Sequence, residues 1–232
     1  MKSPQKLIYA AGLGLLLSTA TLLSDEMSAK EIAKKAYDAL DSQQSYAFNA
    51  AILNHSDEGE NTHQVDVKVN RPGQFRVDVT GDIRNRNNYL NDGVYTVYDH
   101  DKNMYVRIET EKEIDDALDD LFDRFEISSP LAQLMYTDMG DRIKFDSSKN
   151  FGIVDLKGVK CHYLAFTTKA NEVHVWITAG ETPVIINYMI KDKTSKNNTY
   201  KATTLYWKKA STISANDFIF AMPKNATEVF IK

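Results

Sequence analysis

Cys161 and His162 stand side by side, a thiol next to an imidazole, which is the pairing that a nucleophile and its general base require. The run Gly158-Val159-Lys160-Cys161-His162-Tyr163-Leu164 reads as a strand behind a glycine turn. Neighbours in a strand point to opposite faces, so this thiol and this ring cannot hydrogen-bond directly. A free cysteine is more often a small buried apolar group, and no acid partner is evident for the histidine. The histidines at 55, 63, 100, 162 and 174 show no metal-ligand spacing. His162 and His174 could meet across adjacent strands, but two ligands do not make a zinc site. Asp99-x-Asp101-x-Asn103 copies the opening of a calcium loop. That loop needs glycine at its sixth position and glutamate at its twelfth, where this chain has Met104 and Thr110, so a hairpin turn explains the segment better. Phosphate-binding loops, dinucleotide fingerprints, HExxH and G-x-S-x-G are all missing from the sequence. A non-enzymatic binding protein without metal or cofactor is the expectation.

The elements that would position a binding site are easier to read. Ser28 can cap a helix over residues 28–40, with Glu31 completing a capping box. Ile32, Ala33, Ala36, Tyr37 and Leu40 form its apolar stripe. From Tyr46 the hydrophobic period becomes two. Val65, Val67 and Val69 alternate with polar residues, as do Phe75, Val77 and Val79 across an Arg71-Pro72-Gly73 turn. Tyr89-Leu90 and Val94 to Tyr98 flank Asn91-Asp92-Gly93, a strong hairpin signal, and a turn over 99–103 leads to a strand over 104–108. A helical island follows. Ile114, Ala117, Leu118, Leu121, Phe122 and Phe125 share one face of a helix over 111–125, and Pro130 opens a second helix, PLAQLMY. Five strands resume over 151–156, 159–167, 172–178, 184–191 and 199–207. Residues 184–190 are apolar on both faces, so that strand must be covered on both sides or line a cavity.

Bulk properties narrow the classes. The chain has 232 residues with 43% hydrophobic and 26% charged content, the balance of an ordinary globular protein large enough for one real core. Its net charge of −4, more negative still without Lys2 and Lys6, argues against nucleic acid and against anionic membrane surfaces as partners. Residues 1–24 read as a signal peptide: two lysines, an apolar stretch from Leu7 to Leu23, and cleavage expected after Ala20 or Ser24. An uncleaved anchor is the alternative, although the stretch is short for the roughly 20 apolar residues that span a bilayer. Cys161 is the single cysteine, so no internal disulfide can form and the leader offers no lipid attachment site. Residues 25–232 are expected to be a single exported, soluble domain, without stable membrane insertion once the signal is removed. The layout predicts an α+β fold, one curved antiparallel sheet of about 11 strands with helices over its concave face.

Three sets of residues resemble the lipoprotein carriers of the LolA type. They are Arg71 to Val77, Asp92-Gly93 with Val97-Tyr98-Asp99, and Phe218 to Pro223 with Ala226, which looks like the carriers' last strand. From Ala36 onward the chain resembles more closely a family of predicted periplasmic proteins of unknown function in the same superfamily. Tyr46-Ala47-Phe48, Ala117-Leu118, Ser129 to Ala132, Gly158 to Leu164, and Val175-Trp176-Ile177 with Pro183 carry that likeness. The resemblance implies an unclosed half β-barrel in the periplasm of a Gram-negative envelope. It also implies an apolar pocket for a lipid or acyl chain between sheet and helices. Phe75, Val77, Tyr95 and Val97 would line it from the sheet, and Leu118, Leu121, Phe122, Phe125 and Leu134 from the helices. Arg71 would serve as a latch between sheet and helical lid. From its own context Arg71 ends an apolar strand, where its planar fork can hold backbone carbonyls or simply face water. The seven acids between 111 and 123 depart from the carriers' pattern. They suggest an alternative role, a regulatory module that binds an envelope protein through the acidic helix.

Overall fold

The computed structural model describes residues 27–82, 84–142, 144–196 and 198–231. The expected signal peptide lies outside the described residues. Helix α1 (Ala29–Asp41) begins at a Ser28 capping box, as expected. The chain then builds β1 (Ser45–Ser56), β2 (Gly59–Asn70), β3 (Gln74–Gly81), β4 (Asn85–Asn91), β5 (Val94–Asp99) and β6 (Met104–Glu109). Helices α2 (Ile114–Phe125) and α3 (Met139–Arg142) interrupt the strands. The sheet resumes with β7 (Ser147–Leu156), β8 (Val159–Thr167), β9 (Asn171–Thr178), β10 (Ile185–Asp192), β11 (Tyr200–Lys208) and the two-residue β12 (Thr227–Glu228).

All twelve strands lie in one unclosed sheet, ordered β12-β6-β5-β4-β3-β2-β1-β11-β10-β9-β8-β7. Each pairing is antiparallel except the short parallel contact of β12 with β6. β1 sits at the middle and joins two meanders, pairing with β2 on one side and with β11 on the other. The α+β half-barrel expectation holds, with one strand more than the expected eleven.

The two halves are covered differently. In the β2–β6 half, the apolar stripe of α2 (Ile114, Ala117, Leu118, Leu121) joins the core that includes Phe75, Val77, Tyr95 and Ile108. α2 is seated by the turn after β2: the Ile114 N–H donates to the Pro72 carbonyl at 2.8 Å. Gly73 is required there, because a Cβ would stand 2.5 Å from the Lys112 carbonyl oxygen. The β4–β5 hairpin turns on Asp92 and Gly93, both at positive φ, as its Asp-Gly sequence demands. In the other half, α1 lies against α3, β7, β8 and β9.

Two local expectations are corrected. Pro130 does not open a helix. Leu131 takes φ 61° and only a 3₁₀ turn, Ala132–Leu134, follows. The Leu134 and Met135 carbonyls, which a continuing helix would use, are taken instead by side chains from the sheet. Residues 218–223 do not form the last strand either. A 3₁₀ turn over Ala215–Phe218 buries Phe218, and Phe220 then packs on Tyr89, Tyr98 and Tyr105 with ring centroids 5.7, 6.0 and 5.3 Å away. These tyrosines alternate with core residues such as Leu90 and Val97, so the C-terminal segment covers the outer face of β4–β6.

The burial of α2 generates a paired test. Leu121 is fully packed and Phe122 is 55% exposed. Leu121→Ala is expected to cost about 3 kcal/mol, and Phe122→Ala under about 0.5 kcal/mol, in urea unfolding. Equal losses would contradict this seating of the helix.

Candidate functional site

Arg71 is 8% exposed although it follows a strand end. Its Nη1 donates to the Met135 carbonyl at 2.8 Å and its Nη2 to the Tyr46 hydroxyl at 3.3 Å. Tyr46 in turn donates to the Leu134 carbonyl at 2.6 Å. The Arg71 N–H donates to the Gln44 carbonyl at 2.8 Å, and the Gln44 side-chain amide donates back to the Arg71 carbonyl. Asp41, at the end of α1, places Oδ1 3.7 Å from Nη2. One guanidinium thus ties together the end of α1, the β1–β2 pair and the segment after α2. The arginine contacts that segment's backbone, as its fork geometry allows.

The network is imperfectly satisfied. Arg71 Nε and Asp41 Oδ1 are buried without a hydrogen-bond partner. Burial pushes the Asp41 carboxyl up to about 6, with Arg71 opposing the shift. Burial, again the first cause, also raises the Tyr46 phenol, which therefore remains a neutral donor.

Open space lies along the other half of the inner face, and a further cleft opens over β1–β3. Two adjoining cavities of about 350 and 360 Å³ share Tyr37, Phe145, Val173, Val175 and Ile185 as walls. Their size falls within the range of small-molecule pockets. α1 supplies Ala33 and Tyr37, the segment before β7 supplies Phe145, and β8–β10 supply the floor. Lys30, Lys34 and Lys144 stand on the walls of the first cavity, and Tyr188, Ile190 and Lys201 extend the second.

The residues named from the sequence divide. Phe75, Val77, Tyr95, Leu118 and Leu121 are buried core of the β2–β6 half, while Val97 and Phe125 are partly buried against it. Phe122 points to solvent. Leu134 alone of the nine lines one of the two adjoining cavities. The residues that do line the space, chiefly Val173, Val175, Ile185 and Ile190, belong to the strands of the second half. For Ile185 and Ile190 the signal was present in the run over 184–190 that is apolar on both faces.

Three acids of α2 are engaged within the molecule. Asp115 accepts from the N–H and hydroxyl of Thr137. Asp119 accepts from the Tyr136 hydroxyl at 2.9 Å and pairs with Arg142 at 2.8 Å. Asp120 pairs with Arg124 at 2.7 Å and accepts from Thr110 at 2.7 Å. These acids hold α2 to β6 and to the segment before α3. Cys161 is fully buried, and burial raises its thiol. Asp99 takes the Lys102 N–H at 3.1 Å and pairs with Arg86 at 3.0 Å, as a hairpin turn would use it.

Residues 29–232 match the family described as predicted periplasmic protein, DUF2092. The chain belongs to that family. The periplasmic localisation expected from the sequence agrees, and no helix among the described residues is long and apolar enough to cross a membrane. No curated protein matches the sequence. Among solved structures, an uncharacterized conserved protein from Thermus thermophilus is similar at 14% identity and TM-score 0.54, over 87% of this chain and 98% of that one. The Mycobacterium tuberculosis lipoprotein LppX is similar at 12% identity and TM-score 0.49, over 78% and 93%. A LolA superfamily protein from Nitrosomonas europaea is similar at 12% identity and TM-score 0.32, over 79% and 93%. The Thermus protein shares the fold, and these identities speak to fold alone.

Arg71→Ala is expected to destabilise the protein by about 3 kcal/mol, because Asp41 and two buried acceptors lose their partner. Arg71→Lys is expected to restore only part of that loss, since one ammonium cannot reproduce the fork. Chemical denaturation measures both, and full rescue by lysine would overturn the bidentate reading. A second test follows from Asp41. A carboxyl whose folded value is raised contributes stability below its unfolded value and loses it as pH rises through the folded one. Wild type is therefore expected to lose stability relative to Asp41→Asn as pH rises from about 3.8 to about 6. Melting curves at stepped pH check this, and a constant difference between the two proteins would refute it.

Proposed function

We propose that this protein is a non-enzymatic periplasmic binding protein that holds a lipid or other acyl-bearing ligand between its sheet and α1. One observation carries the reading: the α1 side of the inner face keeps two adjoining cavities with shared apolar walls, while the stripe of α2 (Ile114, Ala117, Leu118, Leu121) is buried against the sheet. Burying a chain in such a space is favourable by about 0.8 kcal/mol per CH₂. Val173, Val175, Ile185 and Ile190 form the floor, and Tyr37 and Phe145 the opposite wall. Arg71 acts at a distance from the ligand, fixing the segment after α2 that carries Leu134 to the edge of the second cavity.

Native purification from a bacterial periplasm, organic extraction and mass spectrometry of the extract test this directly. A stoichiometric phospholipid, fatty acid or isoprenoid is expected. Val175→Trp fills the shared part of the cavities and is expected to reduce uptake of a fluorescent fatty acid about tenfold, the equivalent of about 1.4 kcal/mol. A clean extract together with no fatty-acid uptake by the wild type would end the proposal.

A further inference from the structure

The apolar trough does not stop at Ile190. Lys201, which lines the second cavity, also lines a third, of about 290 Å³, on the same face of the sheet. Strand register assembles that cleft. Lys201 of β11 is opposite Asn54 of β1, Asn54 is opposite Asn61 of β2, and Ile52 is opposite His63. Arg84 enters from the β3–β4 connection, fixed by the Gly81 N–H donating to its carbonyl at 2.9 Å. Pro130 closes the cleft from the segment after α2.

The two charges lining this cleft, Lys201 and Arg84, are of one sign, the 7% exposed His63 stands beside them, and no carboxylate is among the lining residues. Neither cation makes an ion pair among the described residues. The nearest acid that influences His63 is Asp82, whose carboxylate already accepts from the N–H and hydroxyl of Thr62 at 2.7 and 3.2 Å. The electrostatic consequence is visible at two groups. Withdrawal from water and then Arg84 hold both the Lys201 ammonium and the His63 ring below their ordinary values. Facing cations without a counter-charge cost free energy in a folded protein, and an anion placed between them removes that cost. The guanidinium is suited to a two-oxygen acceptor such as a carboxylate or phosphate. The Asn54 amide donates to the Asn61 side-chain oxygen at 2.9 Å, which leaves the Asn61 amide nitrogen as a further donor in the cleft.

We propose that the cleft of Arg84, Lys201 and His63 receives the anionic headgroup, carboxylate or phosphate, of an amphiphile whose chain lies in the adjoining apolar trough. This inference rests on the acyl-binding reading above and adds an orientation to it. The charged end sits over β1, β2 and β11, and the chain runs across β10 and β9 towards α1.

The test measures binding of three probes to the full chain at fixed ionic strength: palmitate, methyl palmitate and inorganic phosphate. The double variant Arg84→Gln with Lys201→Gln is expected to bind palmitate about tenfold more weakly than wild type. Methyl palmitate is expected to bind both proteins alike. Arg84→Lys with Lys201→Arg, which keeps both charges, is expected to retain most of the palmitate affinity. Both side chains reach solvent, and equal melting temperatures confirm that the variants fold. Palmitate binding unchanged in the double glutamine variant would overturn the headgroup site while leaving the acyl-binding reading intact. Inorganic phosphate binding as tightly as palmitate would mean a free-anion site and would also overturn it. Failure of both palmitate and its ester to bind would remove the acyl-binding reading, and this inference with it.

Discussion

An open sheet of twelve strands cannot bury its inner face against itself, and the organisation of this protein follows from that constraint. Something outside the sheet must cover each half. The connection between the two meanders supplies α2 for one half, and the segment ahead of the first strand supplies α1 for the other. Neither cover continues a strand, so each has to be held by side chains. Arg71 is the chief holder. It lies where β2 ends, and its guanidinium reaches both Asp41 at the end of α1 and the Met135 carbonyl in the segment after α2. The Tyr46 hydroxyl shares the task, accepting from Arg71 and donating to the Leu134 carbonyl.

The two covers do different work. The stripe of α2 is buried in the core of the β2–β6 half, and the C-terminal segment closes the outer face of the same half through Phe218 and Phe220. That half is a double-sided core. α1 presents the small residues Ala33 and Ala36 and the ring of Tyr37 to a floor of valines and isoleucines, and space remains. Small side chains facing a wide strand surface leave volume that the sheet's own hydrogen bonding prevents from collapsing. The space that the proposed binding role requires lies in the α1 half.

Electrostatics divides along the same line. Asp115, Asp119 and Asp120 of α2 are matched to Thr137, Tyr136, Arg142, Thr110 and Arg124, so part of the most conspicuous charge run in the chain acts as internal fastening. The cations over β1 and β11 are fewer and scattered in sequence, yet they face a common cleft without acids in its walls.

Much of the fold was legible from local pattern. The Ser28–Glu31 capping box, the Asp92-Gly93 hairpin and the alternation in β2 and β3 depend on neighbours within a few residues, and each appears where the sequence implies it. The importance of Arg71 followed from a family resemblance, and its burial and acceptors came only with the folded chain. Local pattern failed where distant groups compete for the backbone. Residues 130–136 have helical spacing, yet Tyr46 and Arg71 capture the carbonyls that a helix would use. The position of the cavity was likewise beyond reach. Leu118 and Val175 are both apolar residues on inward faces, and periodicity cannot distinguish a side chain that meets a partner from one that meets a void. That difference depends on how closely two covers, brought from separate parts of the chain, approach one sheet, and tertiary packing alone decides it.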